Sequence, residues 1–234
     1  MIHLGDCIEW MATIADRSVD HVITDPPFSE RVHARLGLED RADGSDSRQS
    51  LTFAGLSDQF VLLVTQHLCR ITKRWIILFC DEVSLVAWKG AIESCGGDYI
   101  RGGTWVKTDP MPQITGDRPA QGTESIVVAH APRKKGDGRT RWNGGGRPAT
   151  WTCPIERDGR MHPTQKPKRL MESLVRDFTD HDELVCDPFA GSGTTGVAAL
   201  RNGRRFIGCE LDPKYHAIAM SRIGRTHEQR ELAL

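Results

Sequence analysis

The sequence lacks the patterns of a metal-binding or disulfide-stabilised protein. It has seven cysteines, an odd number, and no two of them are spaced C-x-x-C. Most of them lie in or beside apolar runs, where a thiol behaves as a small buried hydrophobic group. We therefore expect neither a zinc site nor a disulfide framework.

Long apolar runs and an excess of charge of one sign are also missing. No run approaches the length of a membrane-spanning helix, and no basic segment followed by an apolar one opens the chain. We therefore expect a cytoplasmic protein without a membrane partner. Basic and acidic residues number 31 each in the 234 residues. Any nucleic-acid surface must therefore come from an uneven distribution of charge.

Short apolar runs rich in β-formers alternate with amphipathic stretches. The predicted strands are Ile2–Leu4, Asp20–Thr24, Arg74–Cys80, Tyr99–Lys107, Glu124–Ala131, Glu183–Cys186 and Arg205–Glu210. The predicted helices are Leu51–Ile71, Val83–Ser94, Pro167–Thr179, Thr195–Asn202 and Pro213–Arg225. This alternation predicts an α/β fold with a doubly wound, mainly parallel sheet. In such sheets ligands bind at the carboxyl ends of the strands.

A glycine-rich turn follows one of these strands in the stretch VCDPFAGSGTTG, Val185–Gly196. Gly191, Gly193 and Gly196 fit G-x-G-x-x-G, and Glu210 lies at the end of the next strand. Taken alone, this pattern predicts a dinucleotide site, because glycines let the backbone approach a ligand and the acid can hold ribose hydroxyls.

The acid before the turn favours a different ligand. The Asp187 carboxylate would repel a pyrophosphate on the same loop, but it would attract an ammonium group. S-adenosylmethionine carries an ammonium and a ribose and has no phosphate, so Asp187 and Glu210 suit it together. The hydroxyls of Thr194 and Thr195, with the amides at the helix start, can hold the cofactor's carboxylate.

A second acidic motif, DPPF at Asp25–Phe28, ends the first long apolar run. The amino group of a nucleobase is a poor nucleophile until acceptors take its hydrogens. The Asp25 carboxylate and the Pro26 carbonyl can do so, and the prolines preorganise them. Phe28 offers a face for stacking a base. By itself, Asp-Pro-Pro also fits a plain rigid turn.

Taken together, the motifs identify a resemblance. DPPF, then HPTQKP at His162–Pro167, then DPFAGSGTT at Asp187–Thr195 follow GDC at Gly5–Cys7. In this order the chain resembles the permuted, beta-class amino-methyltransferases of DNA, which act on adenine N6 or cytosine N4. The likeness extends to about Tyr215. It implies a Rossmann-like methyltransferase fold with a seven-stranded sheet. It also implies three segments of one domain: a catalytic half (1–106), a target-recognition insertion (107–161) and a cofactor half (162–234).

The resemblance also implies roles for individual residues. The catalytic pocket would comprise Asp25, Pro26, Pro27 and Phe28. The S-adenosylmethionine site would comprise Asp6, Cys7, Thr164, Lys166, Asp187, Phe189, Gly191, Ser192, Gly193, Thr194, Thr195 and Glu210. Phe28 stands where the family often has tyrosine, so stacking is kept and a phenolic hydroxyl is not. HPTQKP also fits a simple helix entry, with Pro167 in the first turn.

Basic residues are concentrated in the predicted insertion, where ten basic residues face six acidic ones. The predicted DNA-binding residues are Arg133, Lys134, Lys135, Arg139, Arg141 and Arg147. Trp142 and Asn143 are candidates for reading bases or wedging into a flipped site. A second basic candidate is Ser29–Ser50, which contains Arg31, Arg35, Arg41 and Arg48.

These observations predict an S-adenosylmethionine-dependent methyltransferase that acts on the amino group of a flipped adenine in double-stranded DNA. By resemblance, Asp25 favours adenine, because cytosine enzymes often carry serine there. Methylation of cytosine N4 is the alternative. A nicotinamide-dependent oxidoreductase and a non-catalytic DNA-binding subunit are more remote, because each leaves motifs unexplained. The sequence leaves open a homodimer, a partner nuclease of a restriction-modification system, and a phage or orphan enzyme.

Overall fold

The computed structural model of the chain describes residues 1–27, 58–138, 140–157 and 165–231. The strands are β1 (Ile2–Leu4), β2 (His21–Thr24), β3 (Trp75–Cys80), β4 (Asp98–Lys107), β5 (Thr123–His130), β6 (Thr150–Cys153), β7 (Leu184–Asp187) and β8 (Arg205–Glu210). The helices are α1 (Cys7–Thr13), α2 (Asp58–Ile71), α3 (Leu85–Ser94), α4 (Lys168–Phe178), α5 (Thr194–Arg201) and α6 (Pro213–Glu231). None of the helices in this part of the chain is long and apolar enough to cross a bilayer.

The strands form one sheet in the order β1-β8-β7-β2-β3-β5-β4-β6. Neighbours from β1 to β3 are parallel, β5 is antiparallel to both β3 and β4, and β6 is parallel to β4. The predicted α/β class with a mainly parallel sheet is confirmed. The described sheet has eight strands where seven were expected. The additional strand, β6, has only four residues and was not among the predicted strands.

Strand β3 shows why the sheet lies at the centre of the molecule. All six of its side chains are buried, as expected of a strand covered by helices on both faces. Its alternate residues point to opposite faces. Ile77 and Phe79 join a core cluster with α4 and α5, whereas Ile76 and Leu78 join a second cluster with α2 and α3.

The register defines two edges of the sheet. At the carboxyl edge, β2, β7 and β8 end at Thr24, Asp187 and Glu210. At the opposite, amino edge, β3 begins at Trp75, which pairs with His130 at the end of antiparallel β5. Both acid-proline motifs therefore lie at the carboxyl edge. The chain that follows β5 leaves the sheet at the amino edge.

Candidate active site

Each glycine of the G-x-G-x-x-G motif has its own structural role, and two of them lie in the turn between β7 and α5 while Gly196 lies in the first turn of α5. Gly191 and Gly193 have left-handed backbones, with φ of 53° and 80°. A Cβ at Gly193 would lie 3.0 Å from the Cβ of Ala219, and one at Gly196 would lie 2.5 Å from Cδ1 of Ile223. These two glycines therefore let α5 pack against α6. A Cβ at Gly191 would meet nothing within 4 Å, so the described residues leave space there for a ligand.

Asp187 is a buried carboxylate at the start of this turn, only 2% exposed. Its Oδ1 accepts hydrogen bonds from the Thr24 hydroxyl (2.6 Å) and from the Phe189 amide (3.1 Å). Burial raises the pKa of Asp187 to about 6, although hydrogen bonds from Thr195 and Thr24 oppose the rise. No described cation forms an ion pair with this carboxylate. It is therefore suited to an ammonium group supplied by a ligand.

Glu210 anchors the turn to the end of β8. Its Oε2 accepts from the Gly191 amide at 2.7 Å, and its Oε1 accepts from the Asp212 amide at 2.9 Å. Burial raises the pKa of this carboxyl group. Each carboxylate oxygen can accept a further hydrogen bond. Glu210 can therefore hold the turn and still receive a hydroxyl group.

The GDC motif lies beside Glu210, because the Gly5 amide donates to the Glu210 carbonyl oxygen at 3.0 Å. The Asp6 side chain caps α1 by accepting from the amides of Ile8 and Glu9. Burial raises the pKa of the Cys7 thiol to about 12, and Asp6 adds to the effect. Cys7 is therefore a buried residue with a neutral thiol. These contacts bring the predicted cofactor residues Asp6, Cys7 and Glu210 to one place.

Arg222 on α6 is a site residue that the sequence analysis missed. Its buried guanidinium donates to the Ser192 carbonyl, to the Ser192 hydroxyl at 2.9 Å and to the Thr194 hydroxyl at 3.3 Å. The Ser192 hydroxyl in turn donates to Oε1 of Gln165 at 3.1 Å. The shape of the turn therefore depends on α6 and on HPTQKP. An arginine on a helix face was too weak a signal to reveal this.

Asp25 lies in a row of alternating charges. The Lys166 ammonium is 2.6 Å from Oδ2 of Asp25 and 3.2 Å from Oε2 of Glu124. Lys107 lies 2.8 Å from the other oxygen of Glu124. Lys166 is 6% exposed, and its nitrogen lies 4.9 Å from the centre of the Phe79 ring. Two carboxylates thus share one buried ammonium.

The electrostatics of this row hold Lys166 charged. Burial alone would lower the pKa of Lys166, but Asp25 and Glu124 outweigh burial and raise it. Burial raises the pKa of Asp25, and Glu124 adds to the rise, while Lys166 opposes it. The Oδ1 atom of Asp25 is buried and has no hydrogen-bond partner among the described residues. It is a preorganised acceptor.

HPTQKP connects the two motifs, because its adjacent residues Gln165 and Lys166 contact Ser192 and Asp25 respectively. Lys166 was expected to line the cofactor site, whereas its described contacts are in the Asp25 pocket. Pro26 is buried and Pro27 is partly buried beside Asp25. Three of the predicted site residues lie outside the described part of the chain: Phe28, Arg139 and Thr164. The second basic candidate, Ser29–Ser50, also lies outside it.

The predicted DNA-binding residues that the structure describes are not brought to this pocket. The Ala131 amide donates to the Arg74 carbonyl, and the Trp75 indole donates to the Arg141 carbonyl. Both contacts are at the amino edge. The segment that carries Arg133, Lys134 and Lys135 therefore leaves the sheet one strand length away from the carboxyl edge. The six residues of β3 make that about 20 Å.

Three further residues of this segment have structural contacts there. Arg147 pairs with Asp177, a buried residue of α4. The Trp142 ring lies 4.9 Å from the Phe178 ring. The Asn143 side-chain amide donates to the Thr179 carbonyl and to Asp180, each at 3.0 Å. These contacts attach the segment to the end of α4. A role for Trp142 and Asn143 in reading bases stays a prediction.

Comparison with known proteins decides the family. A family model described as DNA methylase, covering adenine-N6 and cytosine-N4 enzymes, matches residues 19–221. The chain belongs to this DNA methylase family. Methyltransferases of the family use S-adenosylmethionine. The acid-proline motifs and the glycine turn are thereby explained together, so the nicotinamide alternative falls away.

Individual relatives of this methylase align with nearly the whole chain. The type II methyltransferase M2.DpnII of Streptococcus pneumoniae is 34% identical over 250 residues, which covers 97% of this chain and 90% of the relative. The structure of M1.HpyAVI with S-adenosylmethionine is 25% identical, with a TM-score of 0.69, and the match covers 95% of this chain and 98% of that one. The cytosine-N4-specific PvuII methyltransferase has a TM-score of 0.71 at 18% identity, over 97% and 91% of the two chains. At that identity the PvuII likeness shows the fold alone.

Proposed function

We propose that this methylase transfers the methyl group of S-adenosylmethionine to the exocyclic amino group of an adenine flipped out of duplex DNA. One observation carries the proposal. Asp25 is held through one oxygen by Lys166, while its buried Oδ1 has no described partner. Thr24, the neighbouring residue, contacts Asp187 of the glycine turn. The catalytic acid and the cofactor residues are therefore adjacent at the carboxyl edge.

The residues at the turn fit this cofactor. Asp187 would receive its ammonium group, Glu210 its ribose hydroxyls, and Asp6 and Cys7 would border its adenine. The space at Gly191 admits a ligand close to the backbone. When bound there, the cofactor supplies an electrophilic methyl group. Burial raises the pKa of the Asp187 carboxyl group, so a nearby cation stabilises its ionised form.

Asp25 would act on the target amino group through Oδ1. Accepting one amino hydrogen, with the Pro26 carbonyl accepting the other, localises the nitrogen lone pair so that it can attack a methyl group. Lys166 fixes Oδ2 and favours the ionised form of Asp25. Burial has the opposite effect and makes the carboxylate a better proton acceptor. The amino proton that must leave after transfer has Oδ1 as its nearest acceptor in this arrangement.

The choice of adenine over cytosine rests on the aspartate at position 25. The test is to incubate the protein with duplex DNA and labelled S-adenosylmethionine and to digest the product to nucleosides. We expect label in N6-methyl-2′-deoxyadenosine. Label in N4-methyl-2′-deoxycytidine instead would overturn the adenine assignment and keep amino methylation. Absence of label from DNA would overturn both.

The target duplex would approach the carboxyl edge. There the connection 108–122 starts beside Lys107 and ends before Glu124, two members of the charge row. Two large apolar side chains of this connection are open to solvent, Ile114 at 90% and Met111 at 71% exposure. Apolar side chains of this kind can wedge between base steps. We therefore assign target contact to this connection.

A further inference from the structure

A basic surface lies at the amino edge, away from the proposed pocket. We call the three consecutive residues Arg133, Lys134 and Lys135 the amino-edge basic loop. They are exposed and make no side-chain hydrogen bond or ion pair with the described part of the chain. Beside them is a cavity of about 190 Å³, whose lining includes Arg17, Lys73, Arg74 and Arg133.

The loop is held in place by contacts that do not involve its three basic side chains. The Arg17 guanidinium donates to the Pro132 carbonyl and pairs with Asp137, each at 2.7 Å. Asp137 also accepts from the backbone amide of Lys134 at 2.7 Å. Arg17 and Asp137 therefore close the loop at its two ends, and the three basic side chains project into solvent.

The charges that surround the cavity are balanced, and those of the loop are not. Lys73 pairs with Asp20 at 2.9 Å, and Arg74 pairs with Glu183. Together with the Arg17–Asp137 pair, these pairs neutralise the charged residues that line the cavity, apart from Arg133. Arg133, Lys134 and Lys135 add three positive charges at this edge. A row of exposed cations that form no ion pair with the described residues suits a polyanion such as a nucleic-acid backbone.

The loop lies away from the edge that the target duplex would approach. The loop and Asp25 are at opposite edges of the sheet, separated by the six residues of β3, about 20 Å. DNA has a persistence length of about 150 base pairs. A target duplex of about 20 base pairs that lies across the carboxyl edge is therefore too stiff to bend round to the amino edge.

We propose that the amino-edge basic loop binds the phosphates of a second DNA segment, so that one methylase molecule bridges two duplexes. The proposal rests on the proposed action on DNA at the carboxyl edge. Phosphate contacts carry no sequence information, so the second segment can be any duplex. Holding it would let the enzyme pass between segments while it searches for targets.

A bridging experiment tests this. The full chain is bound to an immobilised duplex of about 20 base pairs, far below the persistence length, and a second fluorescent duplex of equal length is added. We expect the wild-type protein to retain the second duplex. The triple variant Arg133→Gln, Lys134→Gln, Lys135→Gln should lose most of that retention. The slope of log affinity against log salt for the second duplex should flatten by up to about 2.7, since each phosphate contact contributes about 0.9.

A matched control removes the same charge elsewhere. The variant Lys89→Gln, Arg201→Gln, Arg225→Gln changes residues of α3, α5 and α6 and should keep both retention and its salt slope. Single-turnover methylation of the short duplex should be unchanged in both triple variants.

Three results would overturn bridging by this loop. The wild type could retain no second duplex, or the loop variant could retain it as well as the wild type does. Methylation of the short duplex could instead fall in proportion to retention, which would place the loop on the target surface. Failure of wild-type methylation would overturn the proposed function separately, whatever the retention.

Discussion

Replacing Lys166 by methionine tests the assignment of this residue to the Asp25 pocket. Methionine keeps an unbranched apolar chain beside the Phe79 ring and removes the ammonium. The carboxylates of Asp25 and Glu124 now lie 2.6 and 3.2 Å from that nitrogen. In the variant they would face each other without the shared cation, and among the described residues only Glu124 would keep an ion-pair partner, Lys107.

The magnitude follows from the burial of these groups. Removing one member of a buried ion pair costs about 3–5 kcal/mol. Lys166 is 6% exposed, whereas Asp25 and Glu124 are 24% and 17% exposed and can be partly screened by water. We therefore expect the unfolding free energy of Lys166→Met to fall by an amount near the lower end of this range, about 3 kcal/mol. Protonation of Asp25 relieves the repulsion, so its pKa should rise further in the variant.

The assay is single-turnover methyl transfer as a function of pH, with urea unfolding and cofactor calorimetry alongside. At neutral pH the Lys166→Met rate should fall roughly tenfold or more. Its rising limb should move to higher pH, because Asp25 must lose a proton to accept the amino hydrogen. Lys166→Arg keeps the charge and should restore part of the rate.

A matched control is Lys89→Met, which removes an exposed ion pair with Glu93, 3.9 Å apart. Its stability should change by at most about 1 kcal/mol. The reasoning is refuted if Lys166→Met weakens cofactor binding and leaves the pH profile in place. Lys166 would then act at the cofactor, as the resemblance implied.

Four other variants have expected outcomes. Asp187→Asn should weaken S-adenosylmethionine binding in calorimetry. It should also raise the unfolding free energy of the cofactor-free protein at pH 7 by at most about 3 kcal/mol in urea unfolding. Burial raises the pKa of Asp187 to about 6, so its ionised form opposes folding above that pH. A less stable variant would contradict this. Asp25→Ala should keep cofactor binding and abolish methyl transfer, and near-normal single-turnover rates would remove it from the chemistry. Replacing both Met111 and Ile114 by serine should weaken affinity for target duplex without changing unfolding, and unchanged affinity would move the DNA surface elsewhere. Gly196→Ala should destabilise the protein, since its Cβ would lie 2.5 Å from Ile223; wild-type stability would show that α6 can shift.

Element positions were largely predictable because they depend on neighbouring residues. Ile2–Leu4 and Arg205–Glu210 have the bounds that their patterns predict. The exceptions are short. Helix α1, Cys7–Thr13, was not predicted, although Asp6 before it is a favourable capping residue. Strand β6 is stabilised by its pairing with β4, whereas its own polar–apolar alternation spans only four residues.

The candidate site was only half predictable. The acids Asp25 and Asp187 follow apolar runs, and in a parallel sheet such positions meet at the carboxyl edge. The partners of these acids come from distant parts of the chain. Lys166 reaches Asp25 across 141 residues, and Arg222 reaches Ser192 across 30. Glu124 looked like an ordinary strand residue until β5 placed it beside Lys166.

The sequence by itself determined the fold class, the family motifs and the amount of basic charge in 107–161. Only the tertiary structure decided where that charge lies. Because β5 is antiparallel to β3, the chain after His130 emerges at the amino edge and carries Arg133, Lys134 and Lys135 away from Asp25. Local patterns depend on residues a few positions apart, whereas the direction of a strand depends on its partner in the sheet.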